Sequence, residues 1–385
     1  MVTMLKQYWF RLPESLRRPI IYFLLTRTLF TILGAASVML IGRYSDATRQ
    51  LVPGFNPGYS GNPLLDLWAR WDSGWYLHIA ESGYTSNVFS SGQTDIAYFP
   101  LYPYLIRILS WPFGYNKTAV IVTGILISSV AFIAAAYFLY RLVAKRFNDQ
   151  IARLSVLLLF LSPMSFIFSA VMTESLFLLL IVLTFWLAEE KRWAWVGAVA
   201  SLLPLVRPVG PFIVAFLGLM YLNQLKWSWR KLISFQSLWL IGPIIGGLTL
   251  LLINYMVTGN PLGFVEAQAA WQRTFLNFSG PSGGLFTLQG LYLALFAVAS
   301  IVLVTIYRRQ IGNLYWLMAV ILVLLPLSSS LYGLIRYTAI IFPVYICFAL
   351  LLDRHKSLYE PAIMAFMLLQ GVHFVWWALG MPIMQ

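Results

Sequence analysis

Long apolar runs, parted by short basic or polar connections, recur along the sequence from Pro19 to the C-terminal region. Many approach the roughly 20 residues that a helix needs to cross a bilayer core of about 30 Å. Eleven such runs are predicted as membrane helices, at about 20–42, 119–140, 151–169, 174–188, 193–206, 208–223, 234–257, 286–306, 313–328, 338–352 and 358–380, with boundaries good to a few residues. The pair at 193–206 and 208–223 is short and is joined by the proline-rich PLVRPVGP (Pro204 to Pro211). That pattern suits broken or re-entrant helices, which are tolerated at membrane depth only where they line a cavity in protein.

Between the first two runs lies the longest polar stretch, 43–117. It is rich in aromatic residues, among them Trp68, Trp71, Trp75, Tyr76, Tyr84, Tyr98, Tyr102 and Trp111, which favour a membrane interface. The spacing of Trp71, Trp75 and Ile79 predicts a short interfacial helix beginning near Asp72 and stopping at Gly83, with Asp72 and His78 on its polar edge.

Composition strengthens the membrane reading. With 60% hydrophobic and only 10% charged residues in 385, the chain cannot cover a soluble globule with a polar skin. We read it as an all-α polytopic membrane protein, a single integral domain over 1–385 with the loop 43–117 inserted after its first span. The net charge of +13 is divided among clusters such as Arg17/Arg18, Arg141/Lys145/Arg146, Lys191/Arg192, Arg308/Arg309 and Arg354/Lys356. Clusters between apolar runs argue against a nucleic-acid surface. Read by the positive-inside bias, they put the N-terminus in the cytoplasm and the 43–117 loop outside. The single cysteine, Cys347, allows no intramolecular disulfide and makes a cysteine-based metal site implausible.

Chemistry concentrates in a few polar positions. Asp72, in RWDSGWYLHIAESGY (Arg70 to Tyr84), has two readings: a helix N-cap, or a general base whose apolar neighbours tune its carboxylate. Asp66, Glu81 and Asp95 share the loop, but their spacing forms no metal clamp, and they are expected to be solvated. Glu174 lies between apolar runs, either as a helix start favoured by the dipole or as a site carboxylate that holds an arginine or a sugar hydroxyl. Arg207 and Arg336 map to the external ends of spans, where each either snorkels to headgroups or converges with the other on a phosphate. His78 is either a packed interfacial histidine or a partner for phosphate or hydroxyl.

Taken in order, WDSGWYLHIAESGY, AYFPLYP (Ala97 to Pro103), SPMSFIFSAVMTESLF (Ser162 to Phe177), RPVG (Arg207 to Gly210), and RY followed by FP (Arg336, Tyr337, Phe342, Pro343) resemble the GPI mannosyltransferase II (PIG-V) family of GT-C membrane glycosyltransferases. The resemblance implies a GT-C fold whose first long external loop carries the catalytic carboxylate, here Asp72, and a lipid-linked donor of the dolichyl phosphate mannose type. Trp71, His78, Tyr98, Glu174, Arg207, Arg336 and Tyr337 are the substrate-binding candidates within these motifs. The compact chain and its RPVG turn favour a prokaryotic relative with an acceptor other than GPI, placed in the plasma membrane. The expected reaction is an inverting, metal-independent transfer, without cofactor, from a polyprenyl phosphate sugar to a glycan or glycolipid hydroxyl at the external face. A lipid-linked sugar transporter or flippase, and a non-catalytic polyprenyl phosphate-binding scaffold, are the alternatives.

Overall fold

The computed structural model describes residues 11–42, 59–85, 93–232, 234, 236–269, 287–328, 331 and 333–381. Among these residues the regular elements are all helical. Helix α1 (Glu14–Ile41) is followed in the loop by α2 (Ser73–Ser82) and α3 (Leu101–Ser110). The bundle continues with α4 (Lys117–Arg146), α5 (Asp149–Leu161), α6 (Glu174–Glu189), α7 (Trp193–Ala200), α8 (Ile213–Gln224), α9 (Gly242–Thr258) and the short α10 (Gly263–Ala269). Then come α11 (Leu288–Ile306), α12 (Asn313–Leu327), the short α13 (Leu334–Ala339), α14 (Phe342–Arg354) and α15 (Tyr359–Leu379).

Each of the eleven predicted runs contains a helix. Among the described residues, five helices are long and apolar enough to cross a membrane: Glu14–Ile41, Lys117–Arg146, Ser237–Thr258, Leu288–Ile306 and Lys356–Leu379. Three of the shorter helices are cut by prolines. Helix α5 stops at Ser162–Pro163, because the residue before a proline disfavours the helical region, and the predicted run to 169 continues as a buried 3-10 turn, Ser165–Ser169. Helices α7 and α8 are parted by two further 3-10 turns around Pro204 and Pro211.

Helix α4 is the central element, packed against α1, α3, α5 and α6. Asn116 starts it by accepting a hydrogen bond from the Ala119 amide (2.8 Å), and Lys145 and Arg146 stand in its last turn, where cations suit the helix dipole. Arg27, buried in α1, reaches across to Ser169 Oγ (2.6 Å) and the Ser165 carbonyl (2.6 Å), so the α5–α6 connection is pinned from inside. The 43–117 loop is pinned as well. Trp377 donates its indole N–H to the Leu67 carbonyl (2.8 Å), and the Val171 amide donates to the carbonyl of Trp68 (2.8 Å).

The loop departs from its expected arrangement in two respects. Trp71, Trp75 and Ile79 are buried in the protein rather than lying on a membrane surface. Helix α2 is buried from Ser73 to Leu77 and at Ile79 and Ala80, packed against α3 and α4 and, through Trp75 and Tyr76 on Tyr98, against the 95–98 turn. Among the described residues of the loop, large exposed apolar side chains stand on α3 and the turn after it, at Ile108, Leu109, Trp111 and Phe113, and at Leu64. Nor are Asp66 and Asp95 solvated. Asp66 Oδ1 accepts from the Ser60 amide (3.0 Å) and hydroxyl (2.9 Å), while Asp95 Oδ2 accepts from the Thr85 amide (2.8 Å) and hydroxyl (3.1 Å). Glu81, half-buried, accepts from Tyr59. Carboxylates in a loop can replace lost water with local N–H and O–H donors, which spacing alone does not reveal.

Burial raises the Asp95 carboxyl above its ordinary range, partly offset by the two Thr85 hydrogen bonds. The protonated form is therefore favoured on folding. Its stabilising contribution is complete below the unfolded carboxylate value of about 4 and is lost as pH rises through the raised value. Thermal unfolding midpoints should fall across that window in wild type, and Asp95→Asn should flatten the fall; an unchanged slope would assign it to another group.

Candidate active site

Asp72 occupies the N-cap position of α2, yet its backbone is helical (φ −55°, ψ −19°) and its side chain makes no capping hydrogen bond. The carboxylate turns the other way. Oδ1 accepts from the Tyr98 hydroxyl (3.0 Å), and Oδ2 accepts from Arg336 Nη2 (2.8 Å). The preceding residue, Trp71, has φ of 55°, a left-handed conformation that costs a bulky residue of order 1–3 kcal/mol and persists only where the surroundings over-determine it. Burial of the Trp71 indole supplies that constraint. Trp75, one turn into α2, stacks on Tyr98 with centroids 5.4 Å apart, which fixes the phenol beside Asp72.

Arg336 comes from α13, where Gly333 adopts φ 67° just before the helix. Its guanidinium lies between two carboxylates, with Nη2 on Asp72 and Nε 3.2 Å from Glu174 Oε1. Arg207 approaches the same oxygen from the other side, with Nη2 at 2.7 Å, and its Nε donates to Thr173 Oγ1 (3.3 Å). The RPVG turn makes this approach possible. The Arg207 amide bonds back to the Leu203 carbonyl (3.3 Å) and the Gly210 amide to the Arg207 carbonyl (2.9 Å). A Cβ on Gly210 would overlap the Leu203 backbone, so glycine is what lets the turn close. The Arg207 guanidinium also faces the Tyr337 ring at 5.2 Å, a cation–π contact.

The result is a chain of alternating charge, Asp72, Arg336, Glu174, Arg207, drawn from four separate segments. Two carboxylates balance two guanidiniums, which is the condition for holding ions away from water. A cavity of about 280 Å³ opens on this chain and is lined by Asp72, Tyr98, Arg207, Arg336 and Tyr337 from the predicted set. The remaining three candidates lie elsewhere. Trp71 is enclosed in the core beneath the turn. His78 sits nearly two turns along α2 and faces Asp95, 3.9 Å away. Glu174, fully buried at the start of α6, stands behind the arginines and does not line the cavity.

Tyr76, Phe99, Thr173 and Gln268 also line the cavity and were missed. Tyr76 lies four residues after Asp72 on α2, so helical spacing pointed to it. Burial, reinforced by the Asp72 and Glu174 charges, pushes its phenol above the ordinary range, which keeps it a neutral donor. Gln268, on α10, carried no sequence signal.

Helix α13 separates this polar cavity from a second one. Arg336, Tyr337 and Ile340 face the first, whereas Ile335, Thr338 and Ala339 face an apolar cavity of about 500 Å³ between α11, α14 and α15.

A profile of the Mannosyltransferase (PIG-V) family matches residues 16–262. No curated protein matches the chain. Among solved structures, the oligosaccharyltransferase of Archaeoglobus fulgidus crystallised with zinc and sulfate is similar at 15% identity and a TM-score of 0.49, over 90% of this chain and 53% of that one. The archaeal oligosaccharyltransferase AglB from the same organism, in complex with an inhibitory peptide and a dolichol-phosphate, is similar at 13% identity and a TM-score of 0.46, over 93% and 55%. The chain thus spans about half the length of these solved proteins. The matched stretch runs from the first turn of α1 to just past α9, with Asp72, Glu174 and Arg207 inside it: the chain belongs to the Mannosyltransferase (PIG-V) family.

Proposed function

We propose that the protein is an inverting mannosyltransferase that takes its sugar from a polyprenyl phosphate carrier and gives it to a glycan or glycolipid hydroxyl at the external membrane face. The observation that carries the reading is the meeting of one carboxylate, Asp72, and two buried arginines in a single cavity. Asp72 removes the proton of the acceptor hydroxyl as its oxygen bonds to the anomeric carbon from the face opposite the phosphate. The bond from that carbon to the phosphate oxygen breaks, and the carrier phosphate leaves with the electron pair. Its charge grows by one, and Arg207 and Arg336 are pre-placed to stabilise it. Nη1 of Arg207 is buried with no hydrogen-bond partner among the described residues, a donor available for a phosphate oxygen.

The apolar cavity on the far side of α13 supports a lipid-linked donor, because a prenyl chain there would lie one helix away from a phosphate held by Arg336. The guanidiniums supply the positive charge, so the reaction is proposed to need no metal. External placement rests on the charge bias of the connections.

The test is transfer of label from decaprenyl phosphate [14C]mannose to a membrane glycolipid extract by purified protein in EDTA. Transfer with inversion at the anomeric carbon is expected. No transfer with or without EDTA would refute the transferase reading in favour of a transporter or scaffold. Transfer that EDTA abolishes would refute metal independence.

A further inference from the structure

The two carboxylates on Arg336 differ in a way that matters for any anion entering the cavity. Glu174 has a side chain 1% exposed, lies outside the cavity lining, and is shared by both arginines. Asp72 has a side chain 20% exposed, lines the cavity, and holds Arg336 alone of the two arginines among the described ion pairs. An anion in the cavity therefore meets Arg336 from the side that Asp72 already occupies. Glu174 cannot be reached without moving the arginines themselves.

We propose that Glu174 is the fixed counter-ion that positions Arg207 and Arg336, whereas Asp72 is a displaceable one that gives up Arg336 to the phosphate of the donor. This rests on the polyprenyl phosphate reading above. The exchange ties the two substrates together. As described, Oδ2 of Asp72 accepts from Arg336 and Oδ1 from Tyr98, so both oxygens already have donors. When the phosphate takes the Arg336 Nη2 donor, Oδ2 exchanges its guanidinium partner for the acceptor hydroxyl, and Tyr98 keeps the carboxylate in place through Oδ1. The guanidinium leaves the base only once the donor is bound, so the donor binds before the acceptor. Glu174 is then a positioning residue: it touches neither sugar nor phosphate, and its effect passes through the guanidiniums.

Competition for one guanidinium gives the two carboxylates opposite signatures in binding. The probe is decaprenyl phosphate, the carrier without its sugar, in equilibrium binding to the purified full chain. Asp72→Asn removes the competing anion and should bind it about tenfold more tightly than wild type, while Glu174→Gln, which loosens both arginines, should bind it more weakly. The thermal midpoint should also rise more on adding decaprenyl phosphate in Asp72→Asn than in wild type. If Glu174→Gln does not fold, Glu174→Asp keeps the charge with a shorter reach and should still weaken binding; unaltered binding would remove Glu174 from the positioning role. Asp72→Asn binding within twofold of wild type, or equal tightening by both variants, would overturn the unequal assignment and leave the donor reading intact. The donor reading itself fails, and the exchange with it, if wild type binds phosphatidic acid or inorganic phosphate as tightly as decaprenyl phosphate.

Discussion

Asp72→Asn is expected to lower the rate of the proposed mannose transfer by about 10²- to 10⁴-fold, the usual contribution of a positioned general base. Asparagine has nearly the same shape and can still accept from Tyr98, so the loss would report the missing proton acceptor rather than a collapsed loop. Asp72 also stands at the start of α2, where a carboxylate often serves as a cap. Asp72→Ser separates the two roles, because serine is among the best N-cap residues. Serine should leave the enzyme as inactive as asparagine does, since the carboxylate makes no capping hydrogen bond and is committed to Tyr98 and Arg336. Single-turnover measurement with prebound donor is the appropriate readout. Wild-type turnover by either variant would end the assignment of Asp72 as the base.

Removing Arg336 should have the largest effect on stability. Its side chain is 8% exposed and spans Asp72 and Glu174, so Arg336→Met would leave two carboxylates near each other with Arg207 alone to offset them. Breaking a buried ion pair from one side typically costs about 3–5 kcal/mol, because the surviving charge remains buried without compensation. That is a large part of the roughly 5–15 kcal/mol that keeps a protein folded. The double variant Arg336→Met/Glu174→Gln removes the stranded charge together with its partner and should recover part of the loss. Such non-additivity is the signature of groups in one network. Unfolding midpoints in detergent for the two single variants and the double variant measure it, and strictly additive losses would show that the chain of alternating charge is not energetically coupled. Arg336→Lys should recover stability only in part, since a single ammonium cannot present the planar fork that reaches both carboxylates at once.

The site was legible where chemistry and local sequence coincide. Asp72, Arg207 and Arg336 stood out because each is a charge beside apolar runs, and an ionisable group near lipid is rarely present without a partner. Tyr98 and Tyr337 came with the motifs around them. Trp71 and His78 lie away from the cavity, because a motif names a residue and helical spacing gives it a face, but neither says what lies opposite that face. The face carrying Trp75 and Ile79 was expected to meet lipid, and it meets protein instead. Glu174 was read as able to hold an arginine or a sugar, and the geometry selects the arginine: a carboxylate at the first turn of α6 is enclosed once the RPVG turn and α13 pack over it.

The sequence by itself determined the helical class, the eleven apolar runs, the positions where prolines interrupt them, and the family. These follow from hydropathy and backbone chemistry, which act over a few residues, and from motifs that are contiguous. Which runs become full-length helices, which aromatic residues turn inward, and which charges pair were decided only by the tertiary structure. Asp72 and Arg336 are 264 residues apart in sequence and 2.8 Å apart in space. No local rule links them, because the energy of their pairing depends on the burial that the whole bundle creates around them.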